Sequence, residues 1–151
     1  MELTPESPFV GKSRHQLDAK NRITVPAAWR VQGDDAKDRA YYVAWPHPRG
    51  YLCVFPPARF AALTGKTQGA RLSDTKAQAA LREIFSTAHR FSCDAAGRVV
   101  FPEGLLNAVG IDRDLTLVGM NDFFEVWASD RLAPPGADPE TVLAAMETLG
   151  L

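Results

Sequence analysis

Two short segments of this sequence place an acid, a base and a tight loop at the same spacing. Asp18 and Arg22 stand four apart in DAKNRITVP, from Asp18 to Pro26, and Asp94 and Arg98 stand four apart in DAAGRVVFP, from Asp94 to Pro102. An Asp at a loop start accepts backbone N–H bonds, and the following Arg pairs with its carboxylate. Asp18, Asn21, Asp94, Gly97 and Arg98 are therefore expected to structure the loops. The surroundings differ between the two. From Gly11 to Val31 there are five bases (Lys12, Arg14, Lys20, Arg22, Arg30) against Asp18, a local +4. From Phe85 to Leu106, Arg90 and Arg98 balance Asp94 and Glu103. A basic hairpin tip reaches phosphates and base edges in a DNA groove. Arg22 is expected to make the principal contact, with Lys20, Arg14 and Lys12 supplying phosphate charge. The second loop is expected to serve packing, so that Arg98 acts on stability or assembly.

Other chemistry is not spelled out. There is no CxxC, HExxH, Walker loop or GxGxxG. His89 and Cys93 are four apart, but the chain turns from helix to strand between them and no further ligand is near in sequence. His15 and His47 are isolated, and the acids Asp34, Asp35 and Asp38 are interrupted by Lys37 and Arg39, as in a solvated loop. No catalytic residue, metal or cofactor is expected.

The elements that position the loops form an internal repeat. DAKNRITVP aligns with DAAGRVVFP at an offset of 76, and upstream Phe9 matches Phe85 and Arg14 matches Arg90. GYLCVFPPARF from Gly50 aligns with DFFEVWASDRL from Asp122 at an offset of 72, matching Val54 with Val126 and Arg59 with Arg131. RHQLD and RITVP read as two short strands around a loop, and FSCD and RVVFP repeat them. Asn21 and Gly97, the two residue types that best tolerate positive φ, share one loop position. Pro26 and Pro102 fit the first turn of short helices, AAWR and EGLLNAVG. AYYVAW and YLCVF, then LTLVG and FFEVW, have the pattern of half-buried strands. Helices are expected at Pro57–Leu63 and between the copies, the latter capped by Ser73 with Asp74 in its first turn. A last helix is capped by Asp138, with Pro139 at its first position and Gly150 just past its end.

The whole chain has 151 residues, 46% of them hydrophobic and 23% charged, which suits folded domains with a sizeable core. No apolar run reaches the ~18 residues of a membrane span. The start, MELTPESPF, has two acids and no base, unlike a secretory leader, and Cys53 and Cys93 make no disulfide framework. A reducing cytoplasm is the expected setting. The net charge of -1 conceals +6 over residues 1–100 and -7 over residues 101–151. Such a split fits a basic binding surface, basic and acidic faces meeting in an oligomer, or two solvated ends.

In FVGKSRHQLDAKNRITVPAAWR, FSCDAAGRVVFPEGLLNAVGI and LVGMNDFFEVW, the sequence resembles the MraZ family of bacterial transcriptional regulators over roughly residues 9–132. The glycine common before the motif Arg is Asn21 in the first copy. The resemblance implies an α+β fold: a small β-barrel of two interleaved, tandem SpoVT/AbrB-like repeats of the swapped-hairpin type, with helices outside. The repeats would be 9–60 and 85–132, with a helical connector at 61–84 and a Pro-rich linker and C-terminal helix at 133–151. It further implies a ring-like homo-oligomer in the cytoplasm, associated with the nucleoid. That oligomer would bind repeated boxes of double-stranded promoter DNA and repress its own division and cell-wall gene cluster. The alternative is a non-enzymatic scaffold or protein-interaction module built on the same barrel. A small hydrolase has no constellation to support it.

Overall fold

The computed structural model describes residues 9–30, 41–67, 73–132 and 138–151. The acids Asp34, Asp35 and Asp38, the segment before Phe9 and most of the Pro-rich linker lie outside them. Among the described residues there are eight strands: β1 (Lys12–Gln16), β2 (Arg22–Thr24), β3 (Tyr42–His47), β4 (Tyr51–Phe55), β5 (His89–Phe91), β6 (Arg98–Val100), β7 (Asp114–Gly119) and β8 (Phe124–Ala128). Four α-helices accompany them: α1 (Pro57–Thr67), α2 (Thr75–Thr87), α3 (Glu103–Ala108) and α4 (Pro139–Leu149).

Pairing follows the repeat but exchanges strands between its copies. The large sheet is antiparallel, in the order β1-β7-β8-β4-β3-β5, and β2 pairs with β6 in a separate ribbon. Replacing each strand by its counterpart reads the same order backwards, so the fold has a pseudo-two-fold axis. Ile23 faces Val99 and Cys53 faces Glu125. The members of each pair are counterparts, at offsets of 76 and 72, so the axis passes between them. The loops are exchanged too: Phe101 N–H donates to Asn21 C=O and Val25 N–H to Gly97 C=O, both at 2.9 Å. Among the described residues the large sheet ends at β1 and β5 and the ribbon pairs only with itself. This is an α+β fold; among the described residues the strands of the expected small β-barrel form a six-stranded sheet and a ribbon that side chains, not backbone bonds, join.

Alternation explains how they join. Ile23 and Val25 of the first copy and Val99 and Phe101 of the second point inward and are buried. They share one core with Leu52, Val54, Leu115, Leu117, Phe124 and Val126 from the sheet. Both copies contribute to this core. Tyr42 is fully buried in it, its hydroxyl donating to Trp29 C=O at 2.6 Å. On the other face of the sheet, Phe60 and Leu63 of α1, Ile84 of α2 and Ala88 at the C-cap of α2 pack on Val43, Trp45, Cys53 and Phe55.

Several local expectations shift. Pro26 and Pro102 are N-caps in extended conformation, preceding a single 3-10 turn (Ala27–Trp29) and α3. The cap of α2 is Asp74, which accepts from Ala77 N–H at 3.0 Å, rather than Ser73. The helix expected at Pro57–Leu63 runs on to Thr67, and the strand expected at FSCD lies upstream, at His89–Phe91. The match of Phe9 with Phe85 is not structural: Phe9 is buried, bridging to Asn121, whereas Phe85 is exposed on α2. The last helix has the expected ends, Asp138 accepting from Thr141 N–H and Gly150 left-handed at φ 73°.

Candidate nucleic-acid interface

The two motif loops have the same geometry. In the first, Asp18 Oδ1 accepts from the N–H of Lys20 at 2.8 Å and of Arg22 at 2.9 Å, and Oδ2 accepts from Arg22 Nε at 2.8 Å. In the second, Asp94 Oδ1 accepts from the N–H of Ala96 and Arg98, and Oδ2 from Arg98 Nε, all at 2.9 Å. Each loop closes through a left-handed residue, Asn21 at φ 58° and Gly97 at φ 80°. Partial desolvation pulls the Asp18 carboxyl upward, but the backbone and side chain of Arg22 and the Lys20 N–H hold it below the ordinary range. The Arg98 backbone N–H, then its side chain, does the same for Asp94. Both carboxylates stay charged and fix their arginines through Nε. Among the described residues, no partner takes up the terminal nitrogens of either guanidinium.

Both arginines lie on one face. Along the ribbon, Ile23 and Val99 point into the core while Arg22, Thr24, Arg98 and Val100 point out. Arg22 pairs with Val100 and Thr24 with Arg98, which makes the two arginines diagonal neighbours, about 7–8 Å apart at Cα. A further cation crosses between copies. Arg30, from the first copy, donates from Nε to Val25 C=O at 3.0 Å, and its guanidinium lies against the Gly97 backbone of the second loop. The second loop is therefore not the neutral site that its sequence neighbours suggest. At the loop tip Lys20 corresponds to Ala96. Each loop thus has one extra cation, Lys20 at the tip of the first and Arg30 against the second.

Lys12 and Arg14 are not brought to this face. On β1, Arg14 pairs with Thr116 and Lys12 with Val118, while His15 pairs with the core residue Leu115. Both bases thus project from the outer face of the sheet, across the core from the ribbon. Arg14 is 3.9 Å from Asp114 and lines an open groove of about 320 Å³ with Asp112, Asp114 and Asp130. The sequence grouped Lys12 and Arg14 with Arg22 by proximity along the chain, but the strand and loop between them carry the chain around the core. For the converse reason the sequence assigned Arg30 no role beyond its charge in the first patch, and assigned Arg98 a role in its loop alone. The shared offset of 76 was the available signal for Arg98, since equal offsets on paired strands give equal facing.

One contact resembles a fragment of catalytic machinery: Ser13 Oγ lies 2.9 Å from His15 Nε2. Partial burial lowers the His15 pKa, and among the described residues no acid orients the ring. No group of three His, Cys, Asp or Glu residues that could hold a metal occurs among the described residues. Cys53 is buried, and desolvation pushes its thiol up to about 12.

Fold and site define a duplicated α+β protein whose distinguishing surface is a two-stranded ribbon with a pair of aspartate-held arginines. Residues 84–131 match the family model described as "MraZ protein, putative antitoxin-like". The chain is 34% identical to "Transcriptional regulator MraZ" of Symbiobacterium thermophilum over 124 residues, 82% of this chain and 86% of that one. It is 35% identical to the protein of that name from Bordetella pertussis over 127 residues, 83% and 85% of the two chains. The Clostridium acetobutylicum protein of that name is 28% identical over 147 residues, covering 95% and 99%. The chain belongs to the MraZ family and is a transcriptional regulator.

Proposed function

We propose that this protein binds double-stranded promoter DNA through the outer face of the β2–β6 ribbon and represses transcription. The observation that carries the reading is the pair of guanidinium groups, each fixed through Nε by its own aspartate, side by side on an exposed antiparallel ribbon. A two-stranded ribbon fits the major groove, and Arg presents two donors to the O6 and N7 of guanine. Arg22 and Arg98 read base edges, Lys20 adds phosphate charge at the first loop, and Asp18, Asn21, Asp94 and Gly97 hold the loops. Lys12 and Arg14 lie on the other side of the core and are left out of the contact set.

The duplicated unit is two interleaved SpoVT/AbrB-like repeats, residues 9–60 and 85–132, joined by the connector 61–84 and followed by the tail 133–151. The exchange of β1, β2, β5 and β6 between copies supports this reading. One ribbon is a small footprint, because specific sites commonly bury about 1,000–2,500 Å² of protein. A homo-oligomeric ring engaging repeated boxes raises the effective affinity. The boxes in our reading are those upstream of the protein's own division and cell-wall gene cluster, on the cytoplasmic nucleoid. The test is a gel shift with the protein's own upstream DNA at several salt concentrations. The expected result is preference over unrelated DNA and a log–log salt slope of about -0.9 per phosphate contacted. Absence of preference, or salt-independent binding, refutes the proposal.

A further inference from the structure

The two halves of the outer sheet face are symmetric in strands but not in cover. Over the β3–β4 half lie α1 and α2, packed on Val43, Trp45, Cys53 and Phe55. The same face continues in register across the sheet, from Trp45 through Cys53, Glu125 and Val118 to Lys12. On its β8–β7–β1 half, Trp127 and Val118 are only partly buried and Lys12 and Arg14 are exposed. Trp127 continues the aromatic ladder, stacking on Tyr51 at 4.5 Å as Tyr51 stacks on His47 at 4.6 Å.

The chain also contains a helix without a seat. In copy one, β4 is followed by the covering helices, whereas in copy two β8 is followed by α4, which buries none of its residues. Val142, Leu143, Met146 and Leu149 form an apolar stripe along α4, and all four are exposed. Glu140 and Glu147 stand three before and four after Leu143, so they border that stripe, and α4 has no basic residue. The bare sheet half offers the complement: apolar Val118 and Trp127 beside Lys12 and Arg14. Of the acids there, Glu125 accepts from Trp127 Nε1 at 2.9 Å and Asp114 faces Arg14, while Asp112 and Asp130 line the groove at the Arg14 end together with Arg113, so the free positive charge of this face lies at Lys12.

We propose that α4 of a second copy of this chain seats on the β1–β7–β8 face, taking the place that α1 and α2 hold on the symmetry-related half. Its carboxylates meet Lys12 and Arg14, and its stripe covers Val118 and Trp127. The own body leaves α4 bare, whereas a second copy brings both a free helix and a free face. This surface extends the self-assembly proposed above, and its test involves no DNA, so it stands or fails apart from the promoter reading.

The test mixes two single-site variants in a Cys93→Ser background, Val118→Cys and Leu143→Cys, under mild oxidation. A disulfide-linked heterodimer is expected. The absence of one overturns the proposal, and so does a double variant that cross-links only within its own chain. A charge exchange guards against misfolding of the cysteine variants. Lys12→Glu with Arg14→Glu is expected to raise the protein concentration at which the assembly forms by roughly ten-fold or more, read by light scattering. Glu140→Lys with Glu147→Lys in the same chain is expected to restore it. An unchanged midpoint, or a failure of the second pair to restore assembly, overturns the proposal.

Discussion

Replacing Arg22 by alanine removes one guanidinium from the ribbon and leaves the loop that carried it almost intact. Asp18 keeps both backbone bonds, from the N–H of residues 20 and 22, and loses only the one from Arg22 Nε. The pair is partly exposed, with side-chain accessibilities of 24% for Arg22 and 40% for Asp18, so the melting temperature is expected to fall little. DNA affinity responds differently. A bidentate contact to a base contributes about 1–3 kcal/mol, so each site is expected to lose roughly 5- to 150-fold in affinity. Arg98→Ala is expected to lose a similar amount, because its geometry repeats that of Arg22. The double variant is expected to depart from the product of the two, since contacts closer than about 7–10 Å are coupled. Lys20→Ala, which copies Ala96 of the second loop, is expected to weaken all sequences alike and to reduce the salt slope by about 1. Fluorescence anisotropy with a promoter fragment at fixed salt, paired with thermal melts, measures all four. Undiminished affinity in folded Arg98→Ala refutes the shared-face argument, and undiminished affinity in folded Arg22→Ala refutes the site.

Four further outcomes are expected. Tyr42→Phe leaves the buried Trp29 carbonyl without its 2.6 Å donor and is expected to cost about 1–3 kcal/mol in urea unfolding while DNA affinity holds; an unchanged midpoint contradicts this. Gly97→Ala places a Cβ at φ 80° where the Arg30 guanidinium lies and is expected to cost the ~1–2 kcal/mol of left-handed strain, with the flexible Arg30 displaced from the loop. Asn21→Gly, at φ 58° in the equivalent loop, is expected to stay within about 1 kcal/mol of the parent in the same denaturation assay. The Asp18 and Asp94 carboxyls are lowered by folding, so their contribution is present above the unfolded value of about 3.9 and is lost as pH falls through the folded value. Melting curves of the parent and of Asp18→Asn, Asp94→Asn should therefore converge in acid; a gap that widens on acidification contradicts the assignment.

The sequence by itself determined what short-range physics determines. The loop chemistry of DAKN and DAAG, the strand spans YLCVF and FFEVW and the caps of α4 rest on φ preferences, period-two alternation and hydrogen bonds a few residues long. Each of these is complete within its own stretch of chain. The repeat was equally legible, and with it the equivalence of the two motifs. What the sequence could not decide was which copy each strand pairs with. The copies carry the same alternation, so pairing within a copy and exchange between copies satisfy the local pattern equally well. Burial of Ile23, Val25, Val99 and Phe101 under one sheet is the collective property that accompanies exchange. The charge map depends on that choice. Exchange turns Lys12 and Arg14 to the outer sheet face, puts Arg22 and Arg98 side by side, and brings Arg30 onto the opposite loop. Proximity along the chain had assigned Lys12, Arg14, Lys20, Arg22 and Arg30 to one patch and had left Arg98 in a stretch of no net charge. The tertiary structure redistributes them because side-chain direction follows strand register, and register is fixed by partners some 76 residues away.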